Sequence, residues 1–214
     1  MQLQLVYNRF VHRLDRLEEV FTNWVAGSSG RPTQADVMFL EGLLSTLWQQ
    51  WSLFCRRVVF ESAMGCVTRS GITVAPCVAP VDWKRVSYLS WRAYSGGAVQ
   101  PGLLNSDLKK EPTWGDVQRL PSIISLISPA NMSHLLSSLG AITRGPIHLQ
   151  TVRNASSHRN YQTWDDIMRL KVFYNSHSVK HPSEVSMWVE PTSSDFAFMS
   201  WLDEIRLIAD IMTN

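Results

Sequence analysis

Residues 3–24 read LQLVYNRFVHRLDRLEEVFTNW. Leu3, Tyr7, Phe10, Leu14, Leu17, Phe21 and Trp24 recur at alternating steps of four and three. That spacing keeps apolar groups on one stripe of a helix turning once every 3.6 residues or so. The run Gly27-Ser28-Ser29-Gly30-Arg31-Pro32 then interrupts it with turn formers. Thr33, with Asp36 three residues on, marks the start of a second helix. Val37, Leu40, Leu44, Leu47, Trp51, Phe54 and Val58 repeat the same alternation. Two long amphipathic helices joined by a short loop predict an antiparallel hairpin.

From Gly65 to about Pro112 the periodicity dissolves into Gly, Pro, Ser and isolated aromatics. Ile72–Val74 reads as a strand and Asp82–Tyr94 as a short helix, whose Trp83, Tyr88, Trp91 and Tyr94 either pack inward or offer faces to unpaired bases. Helical spacing returns with Thr113 as the cap of a helix over 114–127, then 129–139. A further segment is opened by Pro146, where a missing N–H is harmless. Thr163 starts another helix running to about Tyr174, 177–191 is loop with a strand at 185–189, and a last helix spans Phe198 to Met212 after Ser193 or Ser194. The fold expected is mainly α: an antiparallel helical bundle forming one domain over 1–214, with 65–112 a loop-rich insertion.

With 214 residues, 45% hydrophobic and 18% charged, the chain can bury a sizeable core. A net charge of +2 demands no polyanionic partner, although 15 arginines against 5 lysines favour forked contacts to phosphate. Cys55, Cys66 and Cys77 are odd in number and form no C-x-x-C pair, which argues against a disulfide framework or zinc knuckle. No apolar run reaches the length of a membrane span. A reducing cytoplasm, with no membrane partner, is the expected setting. Phosphate loops, zinc-protease pairs, nucleophile elbows and dinucleotide turns are all missing. Kinase, protease, esterase and dehydrogenase chemistry therefore lose ground.

One segment carries concentrated chemistry: Arg153-Asn154-Ala155-Ser156-Ser157-His158. Metal-free RNA cleavage needs proton transfer and a cation for the extra charge on the phosphorane. Imidazole and guanidinium are the side chains for those tasks. On an ideal helix Asn154 and His158 share a face, while Arg153 and His158 stand roughly 140° apart. A single helix therefore supplies one histidine, and a two-fold dimer would bring a second. Arg159 and Arg144 flank the segment and add positive potential. His12, His134 and His148 read as surface or satisfied core histidines, and His177/His181 as a weak metal pair at most. Asp165 and Asp166 suit a helix N-terminus better than magnesium.

The pattern R-N-x-x-x-H resembles the R-x(4–6)-H signature of HEPN ribonucleases, with the polar residue that this family favours after its arginine. Bare arginine–histidine spacing arises by chance roughly 0.4 times in such a chain, and requiring the asparagine lowers this to roughly 0.016. The resemblance implies a dimerising helical bundle with a composite interface site and metal-independent endoribonuclease activity that uses no cofactor, typically in toxin–antitoxin or antiviral defence systems. Arg153, Asn154 and His158 become the catalytic positions, with Arg159, Arg144 and Tyr161 as RNA contacts. Family members regulated by nucleotidyltransferase antitoxins carry tyrosine two positions after the histidine. Here Asn160 stands there and Tyr161 one further. The alternative is a non-catalytic helical module that dimerises or binds a partner protein or a nucleotide.

Overall fold

The indole N–H of Trp24 donates to Asp36 Oδ1 across 2.8 Å, tying the end of one helix to the start of the next. A computed structural model describes residues 2–28, 30, 32–104, 108–141 and 144–214. Helix α1 spans Leu3–Gly27 and α2 spans Gln34–Met64. Ser29 and Arg31 of the expected turn lie outside the described residues. The second helix begins where Thr33 and Asp36 cap each other: the Thr33 N–H donates to Asp36 Oδ2 at 2.7 Å, and the Asp36 N–H to Thr33 Oγ1 at 3.3 Å. All seven stripe positions of α2 are buried. On α1, Leu3, Phe10, Leu14, Leu17 and Phe21 are buried while Tyr7 and Trp24 keep partial exposure. The architecture is mainly α-helical, with one two-stranded sheet among the described residues.

Packing divides the chain into two units, the first made of Met1–Phe10, Trp51–Thr143 and Leu207–Asn214. Here Phe10 stacks on Phe54 at 4.3 Å between centroids, and Trp51 donates its indole N–H to the Gly115 carbonyl at 3.0 Å. Gly65, at φ +96, ends α2 in a backbone region that a side chain would strain, and the chain enters a small antiparallel hairpin, β1 Cys66–Val67 and β2 Thr73–Val74. Helix α3, Trp83–Ser95, is capped by Asp82, whose carboxylate accepts from the Lys84 N–H at 2.7 Å. It packs on α4, Leu120–Ile127, which packs on α5, Met132–Ala141. The helix expected from residue 114 starts six residues late. Asp116 draws 113–120 into turns, its carbonyl accepting from the N–H groups of Arg119 and Leu120, and Pro121 fits only the first turn of a helix. Glu111 anchors the stretch before it, gripped by Arg56 Nε and Nη2 at 2.6 and 2.9 Å, by Ser87 Oγ and by the Trp114 indole.

The second unit comprises Val11–Gln50 and Arg144–Arg206. Within it α1 and α2 run antiparallel: Arg13 pairs with Gln50 at one end, and Trp24 stacks on Phe39 at 5.4 Å at the other. Helices α6, Arg144–Ser157, and α7, Tyr161–Leu170, pack on each other, and α6 also packs on a 3₁₀ helix at Pro182–Met187. The strand expected at 185–189 is therefore mostly 3₁₀ helix. Its cause is a capping box that the spacing H-x-x-E provides: the His181 N–H donates to Glu184 Oε1 at 2.9 Å, and the Ser183 N–H donates to His181 Nδ1 at 3.2 Å. Helix α8, Ala197–Thr213, closes the chain, Phe198 stacking on Phe21 at 4.6 Å. Ser194 does not cap it but takes a left-handed turn at φ +64.

No described helix is long and apolar enough to cross a membrane. Cys55, Cys66 and Cys77 are all free thiols; the first two are buried, as core residues are expected to be, while Cys77 is exposed.

Candidate functional site

Helix α6 is seated by its apolar stripe. Leu149, Val152 and Ala155 are wholly buried and His148 nearly so. At its first turn Gly145 donates its N–H to Glu204 Oε2 at 2.6 Å, and a Cβ there would meet the Trp201 backbone at 3.1 Å. Side-chain bulk is thus excluded where α6 meets α8. The buried stripe leaves Arg153 and Asn154 half-buried on the other faces.

The Arg153 guanidinium lies against Asn154, Nη1 donating to Oδ1 at 3.3 Å. Its Nε is buried without a hydrogen-bond partner, and among the described residues no carboxylate pairs with it. Four other arginines are neutralised: Arg56 by Glu111, Arg69 by Asp210, Arg159 by Glu41, and Arg206 by Asp15, Glu18 and Asp203, whereas Arg85 and Arg92 bond only to carbonyl oxygens. A guanidinium held in place without a carboxylate suits an incoming anion.

His158 is the first residue past α6, its N–H still bonded to the Asn154 carbonyl at 2.8 Å. The segment expected as one helix therefore stops one residue short of the histidine. Helix α7 starts earlier than the expected Thr163, because Asn160 caps it. Asn160 Oδ1 accepts from the Thr163 N–H at 3.0 Å, and Thr163 Oγ1 accepts from the Asn160 N–H at 3.2 Å. The same pair clamps His158: its carbonyl accepts from Thr163 Oγ1 at 2.9 Å and from Asn160 Nδ2 at 3.2 Å. The backbone is fixed while the imidazole stays exposed to solvent. An anchored, accessible imidazole can exchange protons with a bound substrate.

The flanking positions separate. Tyr161 opens α7 at 76% exposure, three residues from the histidine. Arg159 is committed at 3.3 Å to Glu41, which also lies 3.2 Å from His181 Nε2, off the line of a hydrogen bond. Arg144 sits at the opposite end of α6 over the Phe173 ring at 5.2 Å. Nine residues at 1.5 Å rise put it roughly 13 Å from Arg153 along the axis. The structure thus gathers Arg153, Asn154, His158, Arg159 and Tyr161 at one end of α6 and leaves Arg144 apart.

Glu41 and Glu184 were not legible as neighbours of this segment. His181 is nearly fully buried, and its pKa is lowered by burial first and by Arg159 second, against the opposing pull of Glu41 and Glu184. No cluster of three His, Cys, Asp or Glu residues among the described residues could hold a metal ion, His177 and His181 included. His148 is a satisfied core histidine, with Nδ1 2.7 Å from the Tyr174 hydroxyl. Comparison with protein families, with curated proteins and with solved structures gives no match.

Proposed function

We propose that this protein is a metal-independent endoribonuclease of the HEPN type, acting in a toxin–antitoxin or defence setting through a homodimer that joins two copies of the α6 end. The observation that carries the reading is the state of Arg153: oriented by Asn154, without a carboxylate, and five residues before an anchored, exposed His158. In the reaction the 2′-hydroxyl of the RNA attacks the adjacent phosphorus and the P–O5′ bond breaks. One imidazole takes the 2′-hydroxyl proton while the other gives a proton to the departing 5′-oxygen. Arg153 balances the charge that builds on the non-bridging oxygens. The products are a 2′,3′-cyclic phosphate and a 5′-hydroxyl. Unpaired RNA, whose backbone can reach in-line geometry, is the fitting substrate.

The test is incubation of purified protein with mixed RNA in EDTA, with mapping of the ends. Cyclic phosphate ends that vanish in His158→Ala, with folding and dimerisation retained, are expected. Cleavage that survives His158→Ala, needs a divalent metal, or proceeds in a strict monomer overturns the reading. Intact RNA throughout would leave the bundle as a non-catalytic binding module.

A further inference from the structure

Tyr161 is the most exposed aromatic ring among the described residues, at 76%. The other exposed rings, Trp83, Tyr94 and Phe173, each already face a cation, from Lys84, Arg119 and Arg144 in turn. On Tyr161, among the described residues, no ring and no cation packs, and its hydroxyl has no hydrogen-bond partner. Its backbone is nonetheless set in place, because the Asn160–Thr163 box closes around it. A surface tyrosine is ordinary, but the place of this one is not. It follows His158 by three residues, and three residues of chain reach at most ~11 Å. Side chains on a helix lean toward its N-terminus, so the Tyr161 ring leans toward the chain that joins α7 to the end of α6 carrying Arg153, Asn154 and His158.

Asp165 stands four residues after Tyr161, beside it on the same face of α7. Asp166 pairs with Arg169 at 3.4 Å, and Glu41 with Arg159 at 3.3 Å. Asp165, by contrast, is exposed and makes no ion pair or side-chain hydrogen bond among the described residues. An aromatic face beside an acceptor-only carboxylate selects a flat ligand with paired donors on its edge. Among nucleobases guanine fits, since its N1–H and its N2 amine point the same way and reach both oxygens of a carboxylate. Adenine and cytosine set a lone pair beside their amine, and uracil flanks its N–H with two carbonyls, so each meets the carboxylate with a repulsion. The guanidinium of a basic peptide would satisfy the same two side chains. Arg153, which has no carboxylate among the described residues, opposes a second cation at this end of α6.

We infer that Tyr161 and Asp165 form a guanine-binding subsite, which seats an unpaired guanine next to the phosphate attacked at Arg153 and His158. The base stacks on the Tyr161 ring and donates from N1 and N2 to Asp165, while its backbone runs toward Arg153. Stacking alone accepts any base, and the carboxylate supplies the choice. The inference rests on the ribonuclease reading for the position of the phosphate. The two fail separately, because base preference is measured as binding in a protein that lacks the motif histidine.

The experiment uses the full chain carrying His158→Ala and fluorescein-labelled oligouridylates with one central guanosine, inosine, adenosine or abasic residue, read by anisotropy. Guanosine monophosphate and N-acetylarginine amide serve as competitors. The guanosine strand is expected to bind about five-fold or more tightly than the inosine strand, which lacks only the N2 amine. Asp165→Ala should abolish that difference. Tyr161→Ala should weaken the guanosine strand about five-fold or more, and Tyr161→Phe should keep its affinity. Competition by guanosine monophosphate assigns the subsite to the base with its phosphate alone, and guanosine-selective binding without it assigns the subsite to a strand; both support the inference. Such selective binding without RNA cleavage by the native protein keeps the subsite and overturns the ribonuclease reading. Cleavage to cyclic phosphate ends at positions indifferent to guanosine keeps the ribonuclease and overturns the subsite. Absent binding, equal affinity for guanosine and inosine strands, a preference that survives Asp165→Ala, affinity indifferent to Tyr161→Ala, or displacement of the strand by N-acetylarginine amide also overturns it.

Discussion

The Tyr174 hydroxyl lies 2.7 Å from His148 Nδ1 and receives the Trp201 indole N–H at 2.7 Å. Because tryptophan can only donate, the arrangement that gives every proton a partner points the tyrosine's own proton at a neutral His148 protonated on Nε2. Burial is the main reason that the pKa of His148 is lowered to about 4 and that of Tyr174 raised to about 12, with Arg144 a secondary influence on the histidine.

Acid should therefore weaken the fold before most carboxylates titrate. The unfolded chain protonates this histidine near pH ~6.5, while the folded protein refuses the proton down to about pH 4. Below ~6.5 the unfolded state binds more protons, so stability falls with pH across that window by about 3 kcal/mol in total, with about 2 of it gone by pH 5. Urea unfolding at pH 7, 6 and 5 should show this decline in the native sequence and a flatter profile in His148→Gln. Parallel profiles would contradict it. Tyr174→Phe strands both partners and should cost about 2 to 4 kcal/mol at pH 7.

Glu41 faces both Arg159 and His181. Its carboxylate raises the imidazole pKa of His181 against the effects of burial and Arg159. In Glu41→Gln the His181 titration, followed by its ring proton shift in NMR, should move to lower pH. Stability should change by only about 1 kcal/mol or less, since Arg159 is largely exposed. A midpoint that holds still or rises would mean that the carboxylate does not act on the ring.

Two glycines should respond oppositely to alanine. Gly42, exposed in mid α2, has nothing within 4 Å of where a Cβ would stand, so Gly42→Ala should stabilise the protein by about 1 kcal/mol. At Gly145 the same atom meets Glu204 Cβ at 3.0 Å and the Trp201 backbone at 3.1 Å. Gly145→Ala should destabilise by about 1 to 3 kcal/mol. Thermal melts of the two variants settle the contrast, and a shift of the same sign in both would refute it.

If Arg153 holds two phosphoryl oxygens, charge alone will not replace it. Arg153→Lys should cleave RNA about ten-fold or more slowly while binding it nearly as well, since the ammonium lacks the planar fork. Single-turnover rates with saturating protein separate the two effects. A lysine variant as fast as the native sequence would reduce Arg153 to a point charge.

The helices were readable where a local rule sufficed. Stripes on α1 and α2 and the Thr33–Asp36 cap are relations between residues three or four apart, and each appears as its spacing implies. Reading failed where another local signal competed. Asp116 and Pro121 outweighed the apolar spacing that began at Trp114, the box from His181 to Glu184 outweighed the strand signal of 185–189, and Asn160 outweighed Thr163 as a cap.

At the candidate site the sequence by itself determined which side chains stand together on one stretch of chain, because Arg153, Asn154 and His158 lie within six positions. Their electrostatic state was decided only by tertiary structure. Arg159 is neutralised by a carboxylate 118 positions away, whereas Arg153, six residues earlier, is left with an asparagine and a buried, unpartnered Nε. Sequence spacing sets what neighbours along a helix can do, but a charge is quenched or left available by whatever the fold brings to within about 4 Å of it.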